Sequence, residues 1–113
     1  MSITTHVLDL ASGRPAAGIA VLLLRREEGK DWREVGRAVT DADGRARDLV
    51  PVGARVEPGT YRLTFDTLPY SKANLSSSFF PEVSITFTVE DPSRPYHVPL
   101  LLSPFGYSTY RGS

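Results

Sequence analysis

Two side chains of this sequence can move a proton near neutrality: His6, close to one end of the 113 residues, and His97, close to the other. A neutral imidazole can take a proton from water or hand one to a leaving group, which is the work of general acid–base catalysis. Taken singly, each reads as a structural strand histidine, bonded to a backbone carbonyl or lying at an edge. No metal centre is expected, because catalytic zinc takes three protein ligands and Asp9 is the one acid close to His6. The chain has no cysteine, so a thiolate nucleophile, a disulfide and a cysteine metal site are excluded. Gly-x-Ser-x-Gly, a phosphate loop and a dinucleotide fingerprint are missing as well, so neither covalent serine catalysis nor a nucleotide cofactor is expected. Arg45 follows the turn Thr40-Asp41-Ala42-Asp43-Gly44, and its plain role is a solvated guanidinium beside Asp41, Asp43 or Asp48.

The elements that must position these groups are strands. In Tyr61 to Asp66 the apolar set is Tyr61, Leu63 and Phe65, and in Val83 to Val89 it is Val83, Ile85, Phe87 and Val89. That period of two marks half-buried strands. The unbroken run Ile19 to Leu24 predicts a strand covered on both faces, and Trp32 to Thr40 a more polar one, joined by a charged hairpin loop over 26–31 that contains Gly29. Gly44 and Gly59 mark two further turns. Alternation breaks after Leu68, where Pro69 to Leu75 predicts the one short helix, with Ser71 as its candidate cap. The prolines of Tyr96 to Leu102 predict an edge or bulged strand, and Tyr107 to Tyr110 starts a last strand running to Ser113. Seven or eight short strands with turns about every ten residues predict an all-β antiparallel sandwich.

At 12.4 kDa, residues 1–113 make a single domain, too small for a deep cleft, so a sizeable binding pocket is expected on a surface or between subunits. Thirteen basic and thirteen acidic residues balance, and residues 1–55 alone carry nine and eight, which gives no electrostatic case for nucleic acid or anionic lipid. The longest apolar run is six residues against the ~20 of a membrane-crossing helix, and no basic-then-apolar leader opens the chain. A soluble cytoplasmic protein without a membrane partner is expected. Phe79, Phe80, Phe105, Tyr107 and Tyr110 read as core or subunit contacts.

Three blocks carry a resemblance. The closing segment Tyr96-His97-Val98-Pro99-Leu100-Leu101-Leu102-Ser103-Pro104-Phe105-Gly106-Tyr107-Ser108-Thr109-Tyr110-Arg111-Gly112-Ser113, the opening Thr4-Thr5-His6-Val7-Leu8-Asp9 with Gly13-Arg14-Pro15-Ala16, and Thr40 to Arg45 closely resemble 5-hydroxyisourate hydrolases, the transthyretin-related enzymes of urate breakdown. The similarity runs from about Thr4 to Ser113. It implies a transthyretin-like (prealbumin-like) β-sandwich of two four-stranded sheets with one short helix, assembled as a homotetramer, a dimer of dimers. Active sites would lie in the channel where dimers meet, lined by His6, Arg45, His97, Tyr110, Arg111, Gly112 and Ser113. No cofactor is implied.

The implied reaction opens the six-membered ring of 5-hydroxyisourate at the N1–C6 bond. His6 and His97 suit water activation and proton delivery to N1, the division between them being open. Arg45 suits the substrate's polar edge and the oxyanion. Tyr110, Arg111 and Gly112 would contact substrate, and Ser113, with no following amide to serve as an oxyanion donor, would position a histidine or the water. The rivals are a transthyretin-like small-ligand carrier without catalysis and a structural or adhesive sandwich module.

Overall fold

Alternation in the sequence becomes burial in the structure. The computed structural model describes residues 3–29 and 31–113. In β1 (Ile3–Asp9) the odd residues Ile3, Thr5 and Val7 are buried while Thr4, His6 and Leu8 face the other way, half-exposed. β2 (Arg14–Pro15) is a short pairing on β1. The hairpin β3 (Ala20–Arg26) and β4 (Trp32–Val39) continues into β6 (Gly59–Asp66) and β7 (Glu82–Val89), giving one sheet of order β4-β3-β6-β7. Its inner face buries Val21, Leu23, Tyr61, Leu63, Phe65, Val83, Ile85 and Val89.

The second sheet is built around β1. On one edge lie β8 (Tyr96–His97) and β9 (Leu100–Ser103), both parallel to β1 and in a single register, and β10 (Gly106–Thr109) pairs antiparallel with β9. β5 (Arg45–Ala46) and β2 pair antiparallel with β1. Six short pieces therefore fill four strand positions, and the two-sheet transthyretin-like sandwich with one short helix stands. Ile3, Val7, Ala46, Tyr96, Val98, Leu100 and Leu102 are this sheet's share of the common core. Hydrophobic burial of side chains this size contributes ~1.5–3 kcal/mol each. Two buried threonines are fully bonded: within the second sheet Thr5 Oγ1 donates to the Val98 carbonyl at 2.6 Å, and Thr40 Oγ1 donates to the Ala16 carbonyl at 2.7 Å while accepting from Ile19 N–H at 2.9 Å.

Several sequence expectations need correction. The strand after Ile19 is covered on one face only within the chain, because Leu22 and Leu24 are half-buried on the outer side. The helix α1 (Leu68–Ala73) begins before Ser71, which is buried inside it; Thr67 holds the N-cap position with its hydroxyl given to the Phe80 carbonyl instead. Pro69 fits there because first-turn N–H groups have no intrahelical partner. The strand with the prolines is not an edge: β9 lies between β1 and β10, and the interruption falls at Val98–Pro99 between β8 and β9. The last strand stops at Thr109, after which Gly112 alone pairs with His97. In the 26–31 loop Gly29 has φ +66°, as a turn glycine should, and Lys30 lies outside the described residues, as do Met1 and Ser2. Among the described residues no helix is long and apolar enough to cross a membrane.

Candidate active site

The even residues of β1 form the floor. Residues directly opposite one another on neighbouring strands share a face. His6 lies opposite Arg45 of β5, and Thr4 lies opposite His97 of β8. Registry alone thus collects a hydroxyl, two imidazoles and a guanidinium from three distant stretches of chain on the face that points away from the core.

Arg45 is delivered by its turn. Gly44, at φ +76°, takes a conformation that side chains resist, and a Cβ there would collide with the Val7 carbonyl. Asp41 receives the N–H groups of Asp43 and Arg45 at 2.9 and 3.0 Å, which closes the loop. The plain expectation of an Asp partner falls to Arg47, which reaches Asp41 at 3.5 Å. Among the described residues no carboxylate comes within ion-pairing reach of the Arg45 side chain.

The two imidazoles are held differently. His6 Nε2 lies 2.7 Å from the Asp43 carbonyl oxygen. A carbonyl only accepts, so Nε2 carries a proton and Nδ1 is the nitrogen left to gain or release one. His97 Nδ1 lies 2.8 Å from Thr4 Oγ1, a group able to donate or accept. Among the described residues neither free nitrogen, Nδ1 of His6 or Nε2 of His97, has a protein partner, and neither is buried, since Arg25 Nε is the only buried, unbonded side-chain polar atom among them. Both are therefore open to solvent. The partial burial of His97 pushes its pKa below the ordinary histidine value, and the charges of Arg45 and His6 push it the same way.

The C-terminal residues close over His97. Gly112 N–H donates to the His97 carbonyl at 2.8 Å, and a Cβ on Gly112 would stand 2.6 Å from His97 Cδ2. Only glycine leaves room for the ring there. Arg111 stacks on the Tyr96 ring, its guanidinium carbon 4.6 Å from the centroid. His97, Arg111, Gly112 and Ser113 share with Arg94 and Pro95 an open depression of about 420 Å³. Tyr110 is exposed and lines a neighbouring depression of about 240 Å³ with Ile85, Phe87, Tyr96 and Val98; Arg111 borders both. Asp9 takes no part, because its carboxylate accepts from Ala11 and Ser12 N–H and from the Tyr70 hydroxyl at 2.7 Å. Thr4 and the Asp43 carbonyl were not singled out in the sequence. The signal for Thr4 was its place two residues before His6, which puts both on one strand face.

A family model described as the HIUase/Transthyretin family matches residues 3–112. The chain belongs to the HIUase/transthyretin family. A 5-hydroxyisourate hydrolase of Mus musculus is 46% identical over 112 residues, covering 98% of this chain and 94% of its own. The solved structure of Klebsiella pneumoniae 5-hydroxyisourate hydrolase is 34% identical, covers 100% of both chains and superposes with TM-score 0.84. Sea bream transthyretin in complex with thyroxine is 29% identical, covers 97% of this chain and 93% of its own, and gives TM-score 0.87. Fold likeness is about the same for the hydrolase and the transthyretin, so the fold alone does not choose between them.

Proposed function

We propose that this single domain hydrolyses 5-hydroxyisourate in urate breakdown, with His6, Arg45 and His97 as its catalytic residues and Arg111, Gly112 and Ser113 bordering the same site. The observation that carries this reading is the register that stands His6 opposite Arg45 and Thr4 opposite His97 on one solvent-open face. Identity leans the same way, at 34% to the Klebsiella pneumoniae hydrolase against 29% to the transthyretin.

The geometry supports one division of the roles. His97, kept neutral by its surroundings and open at Nε2, takes a proton from the attacking water. The water oxygen bonds to C6, and negative charge grows on the C6 carbonyl oxygen, where the unpaired Arg45 guanidinium stabilises it. As the N1–C6 bond breaks, N1 takes a proton from Nδ1 of a protonated His6. The net change is addition of one water, and the two rings re-equilibrate through solvent. Tyr110 meets substrate only from the adjoining depression, through Arg111.

A shallow depression cannot enclose a substrate by itself. The proposal therefore includes a homotetramer, a dimer of dimers whose sites lie between dimers. Support comes from an aromatic patch that a small monomer rarely exposes: Phe79 is 66% and Phe105 72% exposed, and the patch continues through Phe80, whose ring meets Tyr107 at 5.1 Å. Light scattering on the purified protein tests the assembly. Function is tested by generating 5-hydroxyisourate with urate oxidase and following its near-ultraviolet absorbance. Faster decay with the protein present, lost in His6→Ala and His97→Ala, is the expected result. A carrier or adhesion module leaves the spontaneous rate unchanged.

A further inference from the structure

We propose that Thr4 is a positioning residue for His97: its hydroxyl accepts the ring's Nδ1–H at 2.8 Å and thereby fixes the tautomer that presents the Nε2 lone pair to solvent. The inference deepens the hydrolase reading and rests on it for its kinetic consequences.

A hydroxyl can serve either tautomer, so the surroundings must choose. The charged groups around the ring come from every neighbouring element: His6 on β1 and Arg45 at the start of β5 act on it directly, and Arg94 before β8, Arg111 and the terminal carboxylate of Ser113 line the same depression. No Asp or Glu side chain lines that depression among the described residues; Ser113 brings the terminal carboxylate to its rim, while the charges that act on the ring are those of Arg45 and His6. A lone pair is the negative end of the imidazole dipole, and an N–H the positive end. Surrounding guanidinium groups therefore stabilise the ring with its lone pair at Nε2 and its proton at Nδ1, toward Thr4. Thr4 Oγ1 then gives one lone pair to Nδ1–H, and among the described residues it has no other protein partner.

The choice of a neutral partner matters. A carboxylate in this place would orient the ring equally well, but would also raise its basicity and hold it protonated. A hydroxyl orients without adding charge. The ring stays neutral, and the nitrogen that must take water's proton stays bare.

The test uses the intact protein in three variants and two readouts. Thr4→Val keeps the shape and removes the acceptor, Thr4→Ser restores it, and Thr4→Asp supplies a charged one. Nitrogen-15 NMR of the imidazoles at pH 7.5 reads the tautomer without reference to activity. The wild type is expected to show His97 protonated at Nδ1, and Thr4→Val a mixture of tautomers. With 5-hydroxyisourate, kcat of Thr4→Val is expected to fall ~10-fold with KM within threefold, and Thr4→Ser to recover it. Thr4→Asp should move the acid limb of kcat/KM to higher pH, a shift that packing alone cannot produce. A wild-type ring protonated at Nε2, or a Thr4→Val enzyme with unchanged kcat, overturns the proposal. A wild type that fails to accelerate 5-hydroxyisourate decay while NMR still shows the Nδ1–H ring overturns the hydrolase reading instead.

Discussion

Replacing Gly112 with alanine is the sharpest probe of how the C-terminal residues serve His97. The added Cβ would sit 2.6 Å from Cδ2 and 3.3 Å from Cγ of the ring. Carbon atoms settle ~3.5–4.0 Å apart, so the ring must withdraw by about 1 Å. The backbone cannot give easily, because Gly112 N–H is bonded to the His97 carbonyl at 2.8 Å. The imidazole swings instead, and the 2.8 Å contact from Nδ1 to Thr4 is stretched out of hydrogen-bond range. A misplacement of ~1 Å at a catalytic group costs roughly 10²-fold in rate, equivalent to ~2.7 kcal/mol of barrier. Stability should hardly change, since Gly112 lies outside the buried core. The assay is the decay of enzymatically generated 5-hydroxyisourate, with thermal unfolding followed in parallel. Gly112→Ala is expected to approach the activity of His97→Ala with a Tm within ~2 °C of wild type. Activity within twofold of wild type would refute the reasoning, because the ring would then have tolerated the collision without consequence.

Further outcomes follow from the same geometry. The folded pKa of His97 lies below 6.5, through burial first and then the charges of Arg45 and His6, so the acid limb of kcat/KM should fall below that value. Arg45→Gln should move this limb to higher pH while lowering kcat, as a stopped-flow pH profile would show. By the same linkage His97 binds fewer protons folded than unfolded, so its contribution to stability is complete above pH ~6.5 and is lost as pH falls through the folded value. Denaturant titrations of wild type and His97→Gln should diverge in that window only. Thr40→Val strands the buried Ile19 N–H and Ala16 carbonyl, and should cost about 2 kcal/mol in urea unfolding with little effect on kcat. Tyr70 is pushed up to about 12 by burial and by its bond to Asp9, so Tyr70→Phe should cost ~1 kcal/mol and leave the site untouched.

What could be read from residues alone was whatever depends on neighbours in sequence. The alternations of β6 and β7, the glycine of the 40–44 turn and the parity that puts His6 on a half-exposed face are all consequences of a strand having two sides. Even the candidate residues were legible, through their resemblance to a family. Where a local signal pointed two ways, the fold decided. Thr67 rather than Ser71 stands at the helix start, since the first helical bond runs from Ser71 N–H to the Thr67 carbonyl, and the proline-bearing strand sits inside its sheet because its break falls where β1 needs no donor from Pro99.

Sequence by itself determined a β-sandwich, its turns, and an inventory of two imidazoles and a guanidinium set just after a turn. Only the tertiary structure decided that Thr4 meets His97 across 93 residues, that His6 must hold its proton at Nε2 against the Asp43 carbonyl, and that Gly112 is glycine to make room for a ring. The reason is that period and composition fix which face a side chain takes, whereas strand register fixes what stands opposite it. Register is settled by the packing of the whole core, and no local stretch of sequence contains it.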